Sequence, residues 1–323
     1  MRAAVLRVLG SPPEHGELPD PGAVPGQALV RMTAVPVVPL DLLCATGTSY
    51  FGRPRVPYVP GDQGVGVVER SSTLAAGTRV FVVTAAGQVA RDGSMAERCL
   101  VPEENLVPLA DDVRDEVAAA VGLSGVAAWM ALSHRAQLRP GERVLVLGGG
   151  GAVGQAAVGA ARVLGAGLVV AACRSEAAAR RARRAGADDV VLLTDDVGEL
   201  AARFADVTGG GAHVVLDPVF GPAATAAARV LADGGRLVNL GGAGGDSATF
   251  SSAALRSRTA AVLGYTNTVL TPDQRRSALA AVLAHAAAGR VTVAAEEVPL
   301  ADVAHAWRRT ASGDGGPRLV LIP

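Results

Sequence analysis

The chain has no lysine. All 30 basic residues are arginine, and they balance 30 acidic residues to a formal net charge of zero. A protein with no excess of either charge has no electrostatic basis for binding nucleic acid or an anionic membrane surface, so we expect a small-molecule partner. Because arginine supplies every fixed positive charge, an arginine at a single position is weaker evidence for a specific role than it would be in a mixed sequence.

Cysteine is also scarce. Cys44, Cys99 and Cys173 are odd in number, far apart and without a C-x-x-C pair, so we expect neither a disulfide framework nor a cysteine zinc cluster. The histidines show no spacing to a serine and an aspartate that would predict a hydrolytic triad. The cysteines are therefore expected to be free thiols.

Long hydrophobic runs that could enter a membrane are missing as well. The apolar run at the N-terminus is too short for a signal sequence and is interrupted by Arg7, which favours a cytoplasmic protein. The uncharged stretch 144–161 is rich in glycine and has the pattern of a strand, a turn and a helix rather than that of a lipid-facing helix. We expect no membrane partner.

The most informative segment covers residues 143–174. It contains an apolar strand, a glycine-rich turn, a helix of small residues and a second apolar strand. This order is typical of a βαβ unit that binds a dinucleotide. The segment therefore predicts a redox enzyme.

The glycines of this turn have the G-x-G-x-x-G spacing at Gly149, Gly151 and Gly154, with Ala152 and Val153 between the last two. The first glycine is expected to allow the tight turn, the second to admit the pyrophosphate, and the third to let helix and strand pack closely. The phosphates would then lie on the N–H groups at the helix N-terminus.

The pattern of strands and helices divides the chain into three parts. Residues 1–118 contain short strands separated by proline and glycine turns, which predicts a mostly antiparallel β domain. Residues 119–265 alternate strands with helices, which predicts a doubly wound parallel sheet in an α/β fold. Residues 266–323, with a helix over 272–288, are expected to return and complete the first domain.

Taken together, these segments resemble the zinc-independent quinone oxidoreductase branch of the medium-chain dehydrogenase/reductase superfamily over nearly the whole chain. The stretches that carry the resemblance occur in family order and are YVPGDQGVGVVE (58–69), LSGVAAWMAL, LRPGERVLVLGGGGAVG, LDPVFG, GGRLVNLGG and VPLADVAHAW. The resemblance implies a Rossmann domain between two parts of a GroES-like catalytic domain, an active site in the cleft, and a homodimer.

The resemblance also implies that no metal is bound. Zinc-dependent relatives hold the catalytic metal with a cysteine, a histidine and a later cysteine or acid, and the corresponding positions here are Val38 and Asp62 or Gln63. Their four-cysteine lobe is missing, because Cys99 is alone in its region, and a zinc site needs several such ligands together. Asp41, which follows Val38, is expected to cap a helix.

The cofactor implied is NADPH. Enzymes that prefer NAD place an acid after the second strand, but this chain has Arg174 and Ser175 there, and Arg180 lies further along, where the family often has a phosphate-binding lysine. Arginine suits a phosphate because its planar fork donates two charge-assisted hydrogen bonds. The alternative is a solvated basic helix over 180–184.

Other positions follow from the resemblance alone. Asn239, Gly241 and Gly242 end the fifth Rossmann strand, where the family's backbone approaches the nicotinamide. Tyr265 ends the next strand and either lies at the cofactor and substrate pocket or packs at a subunit edge. Arg318 matches a common basic position and has either a cofactor role or a structural one.

The substrate pocket departs from the family pattern. Val38, Ala45 and Ala127 stand where the family has asparagine, arginine and threonine, which predicts an apolar pocket. Tyr50 is close in register to a family tyrosine of the substrate cleft, so it is the candidate proton donor or, alternatively, a loop anchor.

The function predicted is that of an NADPH-dependent reductase of an α,β-unsaturated carbonyl compound (an enone or enoyl thioester) or a quinone. The alternative is an NADP(H)-binding family member with non-redox chemistry or a structural role. The loss of three polar groups from the pocket keeps this alternative open.

Overall fold

The computed structural model of the chain describes residues 1–49, 51–88, 91–313 and 316–323. Its strands are β1 (Arg2–Val5), β2 (Glu14–Glu17), β3 (Gln27–Pro36), β4 (Gln63–Arg70), β5 (Arg79–Val83), β6 (Arg98–Pro102), β7 (Leu106–Pro108), β8 (Arg143–Leu147), β9 (Leu168–Cys173), β10 (Asp189–Leu192), β11 (Ala212–Asp217), β12 (Leu231–Asn239), β13 (Ala261–Gly264), β14 (Ala295–Pro299) and β15 (Arg318–Ile322). Its α-helices are α1 (Pro39–Thr46), α2 (Asp115–Met130), α3 (Ala152–Val163), α4 (Glu176–Arg184), α5 (Val197–Val207), α6 (Gly221–Arg229), α7 (Ser252–Ser257), α8 (Pro272–Ala287) and α9 (Val303–Ala311).

The chain forms two compact units. Unit 1 comprises Met1–Gly122 and Ala295–Pro323, and unit 2 comprises Leu123–Ala294. The return to unit 1 thus begins at Ala295, not at residue 266 as the sequence predicted, because α8 packs in unit 2. Within that unit, the ring of His285 on α8 lies 5.3 Å from the ring of Trp129.

Unit 2 contains a six-stranded parallel sheet with the strand order β10-β9-β8-β11-β12-β13. The chain starts at β8, moves outward through β9 and β10, and then returns to the other side of β8 with β11. In such a sheet, ligands bind beyond the carboxyl ends of the strands where the direction of winding reverses. The predicted α/β fold class is confirmed, and the reversal lies between β8 and β11, where Val144 pairs with Val214.

Helices of small residues cover this sheet. The buried residues of α3 are glycine and alanine apart from Gln155 and Val158, so the helix backbone approaches the strands closely. After β9, the N-cap residue of α4 is Ser175, whose hydroxyl oxygen accepts a hydrogen bond from Ala178 N at 3.3 Å. Such a cap satisfies one of the free N–H groups of the first turn.

Unit 1 contains a mostly antiparallel sheet with the order β14-β15-β3-β4-β5-β7, and β6 also pairs with β3. The last strand, β15, lies between β14 and β3, and Val320 pairs with Pro36. Leu6, Met95 and Leu321 are fully buried in the core. The mostly β composition expected of the first domain is confirmed.

One helical stretch among the described residues, Asp115–Arg135, is long and apolar enough to cross a membrane by length and composition alone, and 56% of its most apolar window is buried. Backbone geometry breaks the stretch at Gly122, whose φ of 27° and ψ of −134° are not helical. The first boundary between the units falls here, four residues after the predicted one, because the apolar pattern continues through the break.

Candidate functional site

The glycine-rich turn that follows β8 is shaped by close backbone packing. Gly148 takes the left-handed conformation (φ 64°) that makes the turn, so the tight-turn role predicted for Gly149 belongs to its neighbour. A Cβ on Gly149 would lie 2.5 Å from Ala171 Cβ on β9, and one on Gly154 would lie 2.2 Å from the Gly148 carbonyl oxygen. Both positions therefore require glycine for packing.

Gly151 differs from the other glycines of the turn. It is exposed, and among the described residues its added Cβ would meet one atom within 4 Å, the Gly148 carbonyl oxygen at 3.4 Å. Gly151 is the N-terminal cap residue of α3, whose first turn carries Ala152 and Val153, both half-buried. The open space at Gly151 thus faces the free N–H groups and positive dipole end of α3, an arrangement that suits a phosphate.

Three buried or half-buried side chains hold the peptide groups of Gly150. Its carbonyl oxygen accepts hydrogen bonds from Gln155 Nε2 at 3.0 Å and from Arg181 Nε at 2.9 Å. Its N–H donates to the Cys173 thiol, and burial raises the pKa of that thiol. Because both polar groups of Gly150 are engaged, the loop is preorganised, and the N–H groups that could meet a phosphate are those of the following residues.

Gln155 also reaches a distant part of unit 2. Its Oε1 accepts a hydrogen bond from Ala294 N at 3.0 Å, and its side chain is 3% exposed. The same amide therefore joins the glycine-rich loop to the last residue of the unit. Next to this contact, a Cβ on Gly159 would lie 3.0 Å from Val291 Cα, so α3 packs directly on that segment.

The structure places the residues predicted to bind the 2′-phosphate at the end of β9 and on α4. Arg174 follows directly after β9 and is exposed, as are Ser175 and Arg180. The hydroxyl oxygen of Ser175 caps α4, so only its O–H remains to donate. Arg180 was the predicted residue, but it is Arg181 whose guanidinium is directed to the glycine-rich loop.

Asn239, at the end of β12, organises the neighbouring loops. Its side-chain amide donates to the Gly241 carbonyl oxygen at 2.8 Å and lies 3.4 Å from Asp217 Oδ2. Asp217 ends β11, and its Oδ1 accepts from Val219 N and Phe220 N at 2.9 and 2.7 Å. Burial raises the pKa of Asp217, while these donors oppose the change. The amide of Asn239 is therefore engaged in shaping the strand ends.

The loops after β8, β11, β12 and β13 meet at the carboxyl edge of the sheet. A Cβ on Gly148 would lie 2.9 Å from Val219 Cγ2, and one on Gly241 would lie 3.3 Å from the Pro218 carbonyl oxygen. Gly242 is exposed beside them. Tyr265, after β13, donates from its backbone N–H to the Asn239 carbonyl oxygen at 3.0 Å. The predicted cofactor glycines and Tyr265 thus occupy adjoining loops of one edge.

Phe220 is strained at this edge. It has a φ of 60° and a ψ of −154°, which is rare for a residue with a side chain. The two N–H bonds to Asp217 and an edge-to-face contact with Phe250, at 6.2 Å between ring centroids, hold it there. The signal that could have found Asp217 was its position directly at the end of a buried strand.

Two further predicted residues, Val38 and Arg318, lie beside Asp41 in unit 1. This carboxylate is 3% exposed and accepts from Val38 N and Asp62 N, each at 2.9 Å. The predicted capping of α1 is confirmed by the Val38 bond. Burial raises the pKa of Asp41 to about 7, and the nearby Asp62 carboxylate adds to the rise while Arg318 opposes it.

Arg318 is buried beside this carboxylate. Its Nη1 donates to the Val37 carbonyl oxygen at 2.9 Å, and burial lowers the pKa of its guanidinium to about 10. Of the two roles left open for Arg318, this geometry supplies a structural one. Asp62, one of the two residues predicted to stand at the histidine position of metal-dependent relatives, accepts a hydrogen bond from Gln88 Nε2 at 2.6 Å.

The apolar residues predicted for the substrate pocket lie on two helices. Val38 is the N-cap residue of α1 and Ala45 is a buried residue of the same helix in unit 1, while Ala127 is half-buried on α2 in unit 2. Tyr50, the candidate proton donor, lies outside the described residues. Among the described residues, no group of three or more His, Cys, Asp or Glu side chains converges as a metal site would require.

Comparisons with known proteins agree with this geometry. Residues 24–111 match the alcohol dehydrogenase GroES-like domain, and residues 152–294 match the family described as zinc-binding dehydrogenase. Quinone oxidoreductase-like protein 2 of Bos taurus is 32% identical over 81% of this chain and 74% of its own length. A phenolphthiocerol/phthiocerol polyketide synthase polypeptide of Mycobacterium tuberculosis is 30% identical over 91% of this chain, which spans 13% of that polypeptide.

Solved structures give the same result over the full chain. The quinone oxidoreductase of Thermus thermophilus, solved alone and with NADPH, has a TM-score of 0.79 and 33% identity, with full coverage of both chains. A mycobacterial protein complexed with NADPH has a TM-score of 0.87 and 25% identity, again with full coverage. Sequence, fold and site together establish that this chain belongs to the quinone oxidoreductase branch of the medium-chain dehydrogenase/reductase superfamily.

Proposed function

We propose that the protein is an NADPH-dependent, zinc-independent reductase of an α,β-unsaturated carbonyl compound, such as an enone or enoyl thioester, or of a quinone. The observation that carries the proposal is the exposed N-terminus of α3, where Gly151 leaves room for a phosphate and Arg174 follows the neighbouring strand. The quinone oxidoreductases among its relatives, some of them solved with NADPH, support it.

The residues present fit this cofactor. The N–H groups that follow Gly151 in the first turn of α3 would hold the pyrophosphate, and the Arg174 guanidinium would bind the 2′-phosphate with the Ser175 O–H beside it. A carboxylate at position 174 would repel that phosphate, and none is there. When bound, NADPH supplies the hydride for the reduction.

The proposal assigns no metal. Val38 is aliphatic where metal-dependent relatives have a cysteine, and the Asp41 and Asp62 carboxylates accept hydrogen bonds from backbone and amide groups. The negative charge that develops on the substrate oxygen must then be stabilised by hydrogen-bond donors. Metal analysis of the purified protein tests this point, and about one zinc per chain would contradict it.

The proton that accompanies the hydride is assigned to Tyr50. Because Val38, Ala45 and Ala127 offer no hydrogen-bonding side chains, this phenol is the best remaining candidate acid. Tyr50→Phe keeps the ring but removes its O–H, so kcat is expected to fall by about 10²- to 10⁴-fold while the Kd of NADPH stays constant. Single-turnover oxidation of NADPH measures the effect. An unchanged rate would eliminate Tyr50 as the acid.

The function as a whole is tested by following NADPH absorbance with a panel of enones, enoyl thioesters and quinones. We expect turnover of at least one of these classes, with NADPH preferred over NADH. Tight NADPH binding without turnover of any class would favour the non-redox alternative. The resemblance further supports a cytoplasmic homodimer, and analytical ultracentrifugation tests the oligomeric state.

A further inference from the structure

A groove on unit 1 has no role in the proposed function. It is formed by residues 7–9, which follow β1, and by residues 53–56, which follow α1, and has a volume of about 510 Å³. Pockets for small molecules commonly have about 300–1,000 Å³. The groove is therefore large enough for part of an organic ligand.

Backbone hydrogen bonds hold the first wall of the groove at both of its ends. At one end, Leu6 and Tyr58 exchange both backbone hydrogen bonds, at 2.9 and 3.2 Å. Beyond the other end of the first wall, Gly10 N donates to the carbonyl oxygen of Ala45 at 2.9 Å. Because these bonds tie both ends of segment 7–9 to neighbouring chain, the groove belongs to the framework of unit 1.

The side chains of the groove combine positive charge with apolar surface. Arg7, Arg53 and Arg55 line it together with Val8 and Val56, which are 60% and 40% exposed. Exposed aliphatic side chains between guanidinium groups suit a ligand that carries both phosphates and an apolar face. Inorganic phosphate has no such face.

The positive charge of the groove is largely uncompensated. Arg7 lies 3.4 Å from a Glu14 carboxylate oxygen, but both side chains are more than half exposed, so this pair contributes little. Among the described residues, no ion pair joins Arg53 or Arg55 to a carboxylate. A polyanion in the groove would thus be attracted by the guanidinium groups of Arg53 and Arg55, which are not already paired with a carboxylate of the described residues.

We infer that this groove binds the 3′-phosphoadenosine diphosphate of coenzyme A, and that the substrate is a 2-enoyl thioester of coenzyme A. The inference rests on the proposed reductase function, because it selects the enoyl thioester from the three substrate classes. The phosphates of this nucleotide would pair with the arginines of the groove, and its planar base would pack on the valines. The groove then recognises the nucleotide part of the substrate.

The test distinguishes recognition of the coenzyme A nucleotide from reaction at the alkene. Crotonyl-coenzyme A is compared with the crotonyl thioester of N-acetylcysteamine, which has the same alkene but no nucleotide. Binding of free coenzyme A is measured separately by calorimetry. The variant is Arg53→Ser/Arg55→Ser, and the matched control is Arg31→Ser/Arg70→Ser, which removes two exposed arginines of unit 1 that do not line this groove.

We expect the Arg53→Ser/Arg55→Ser variant to weaken coenzyme A binding by roughly ten- to a hundredfold for each arginine, since each loses a charged hydrogen-bonding partner. The kcat/KM for crotonyl-coenzyme A should fall in parallel, mainly through KM. The N-acetylcysteamine thioester should be a poorer substrate that responds to neither variant, and the control should match the parent. Added salt should weaken coenzyme A binding in the parent protein.

Each other outcome has a distinct meaning. Equal coenzyme A affinity in parent and variant, or equal use of the two thioesters by the parent, overturns the inference. Displacement of coenzyme A by inorganic pyrophosphate at equal concentration also overturns it, because the groove would then bind anions only. Arginine-dependent coenzyme A binding without reduction of any thioester supports the groove and instead contradicts the proposed reductase function.

Discussion

Two glycines three residues apart in the same turn have different physical roles. Gly154 is required by packing, since its Cβ would overlap the Gly148 carbonyl oxygen, whereas a Cβ on Gly151 fits the protein and enters the space proposed for a phosphate. Their substitutions should therefore affect different properties.

We expect Gly151→Val to abolish detectable NADPH binding and to leave the melting temperature unchanged. Gly154→Ala should instead lower the free energy of unfolding by about 1–3 kcal/mol, the usual cost of an overpacked site. Calorimetric titration and thermal unfolding of both variants measure the two effects. Normal NADPH affinity in Gly151→Val would remove this turn from the proposed site.

Cofactor preference is expected to depend on Arg174. Removing one charged hydrogen-bonding partner costs roughly 1.5–3 kcal/mol, or about ten- to a hundredfold in affinity. Arg174→Ala should thus weaken NADPH binding by this factor and leave NADH binding nearly constant. Arg184→Ala, which removes an exposed arginine from the other end of α4, is the control. A similar loss for both cofactors in Arg174→Ala would contradict the assignment.

At the scale of elements, the buried side-chain amide of Gln155 on α3 links this helix both to the loop before it and to the end of unit 2. Gln155 donates to Gly150 and accepts from Ala294. The position of the glycine-rich turn therefore depends on a segment far away in sequence.

Gln155→Leu breaks both bonds and leaves the half-buried Ala294 N–H without its partner. Such a group costs about 1–3 kcal/mol, so we expect a lower melting temperature and roughly tenfold weaker binding of NADPH and NADH alike. Gln155→Glu keeps the acceptor for Ala294 but loses the donor to Gly150, so it should recover stability more than affinity. Loss of NADPH affinity alone would show that Gln155 acts elsewhere than at the pyrophosphate.

The sequence predicted the elements of unit 2 well because alternating apolar strands and amphipathic helices have clear periods. The helix predicted over 272–288 matches α8 (Pro272–Ala287) to within one residue. The break at Gly122 could not be predicted, since the apolar pattern continues on both sides and the broken backbone is fixed by tertiary packing. For the same reason, four consecutive glycines did not reveal that Gly148 makes the turn.

Site residues were predictable where a motif fixes their spacing and unpredictable where contacts decide. The G-x-G-x-x-G glycines lie where expected, at the N-terminus of α3. Arg181 was missed because helical phase, rather than sequence order, determines which arginine of α4 meets Gly150. A polar residue on the buried face of a helix of small residues was the available signal for Gln155.

At the scale of the whole molecule, the stability of the protein should depend on pH through Asp41. Its pKa is raised from 3.8 to about 7 in the folded state, chiefly by burial. A carboxyl group with a raised pKa contributes stability that is fully present below its unfolded pKa and is lost as the pH rises through its folded pKa. The contribution of Asp41 should thus decline between about pH 4 and about pH 7.

Asp41→Asn removes the titration and provides the reference. Its amide can accept only one of the two backbone N–H bonds, so the variant is expected to be less stable than the parent at low pH. The difference in the free energy of unfolding should shrink as the pH rises from about 4 to about 7. Urea unfolding across this range measures it, and a difference that stays constant or grows with pH would falsify the raised pKa.

The position of β15 has a consequence for how the protein is made. This strand follows unit 2 in the chain but lies inside the sheet of unit 1, between β14 and β3. During synthesis, β3 therefore has no β15 to pair with until all of unit 2 has been translated, whereas unit 2 is continuous and can fold as it leaves the ribosome. Nascent unit 1 thus has an unpaired strand edge that a chaperone or a second nascent chain can bind first.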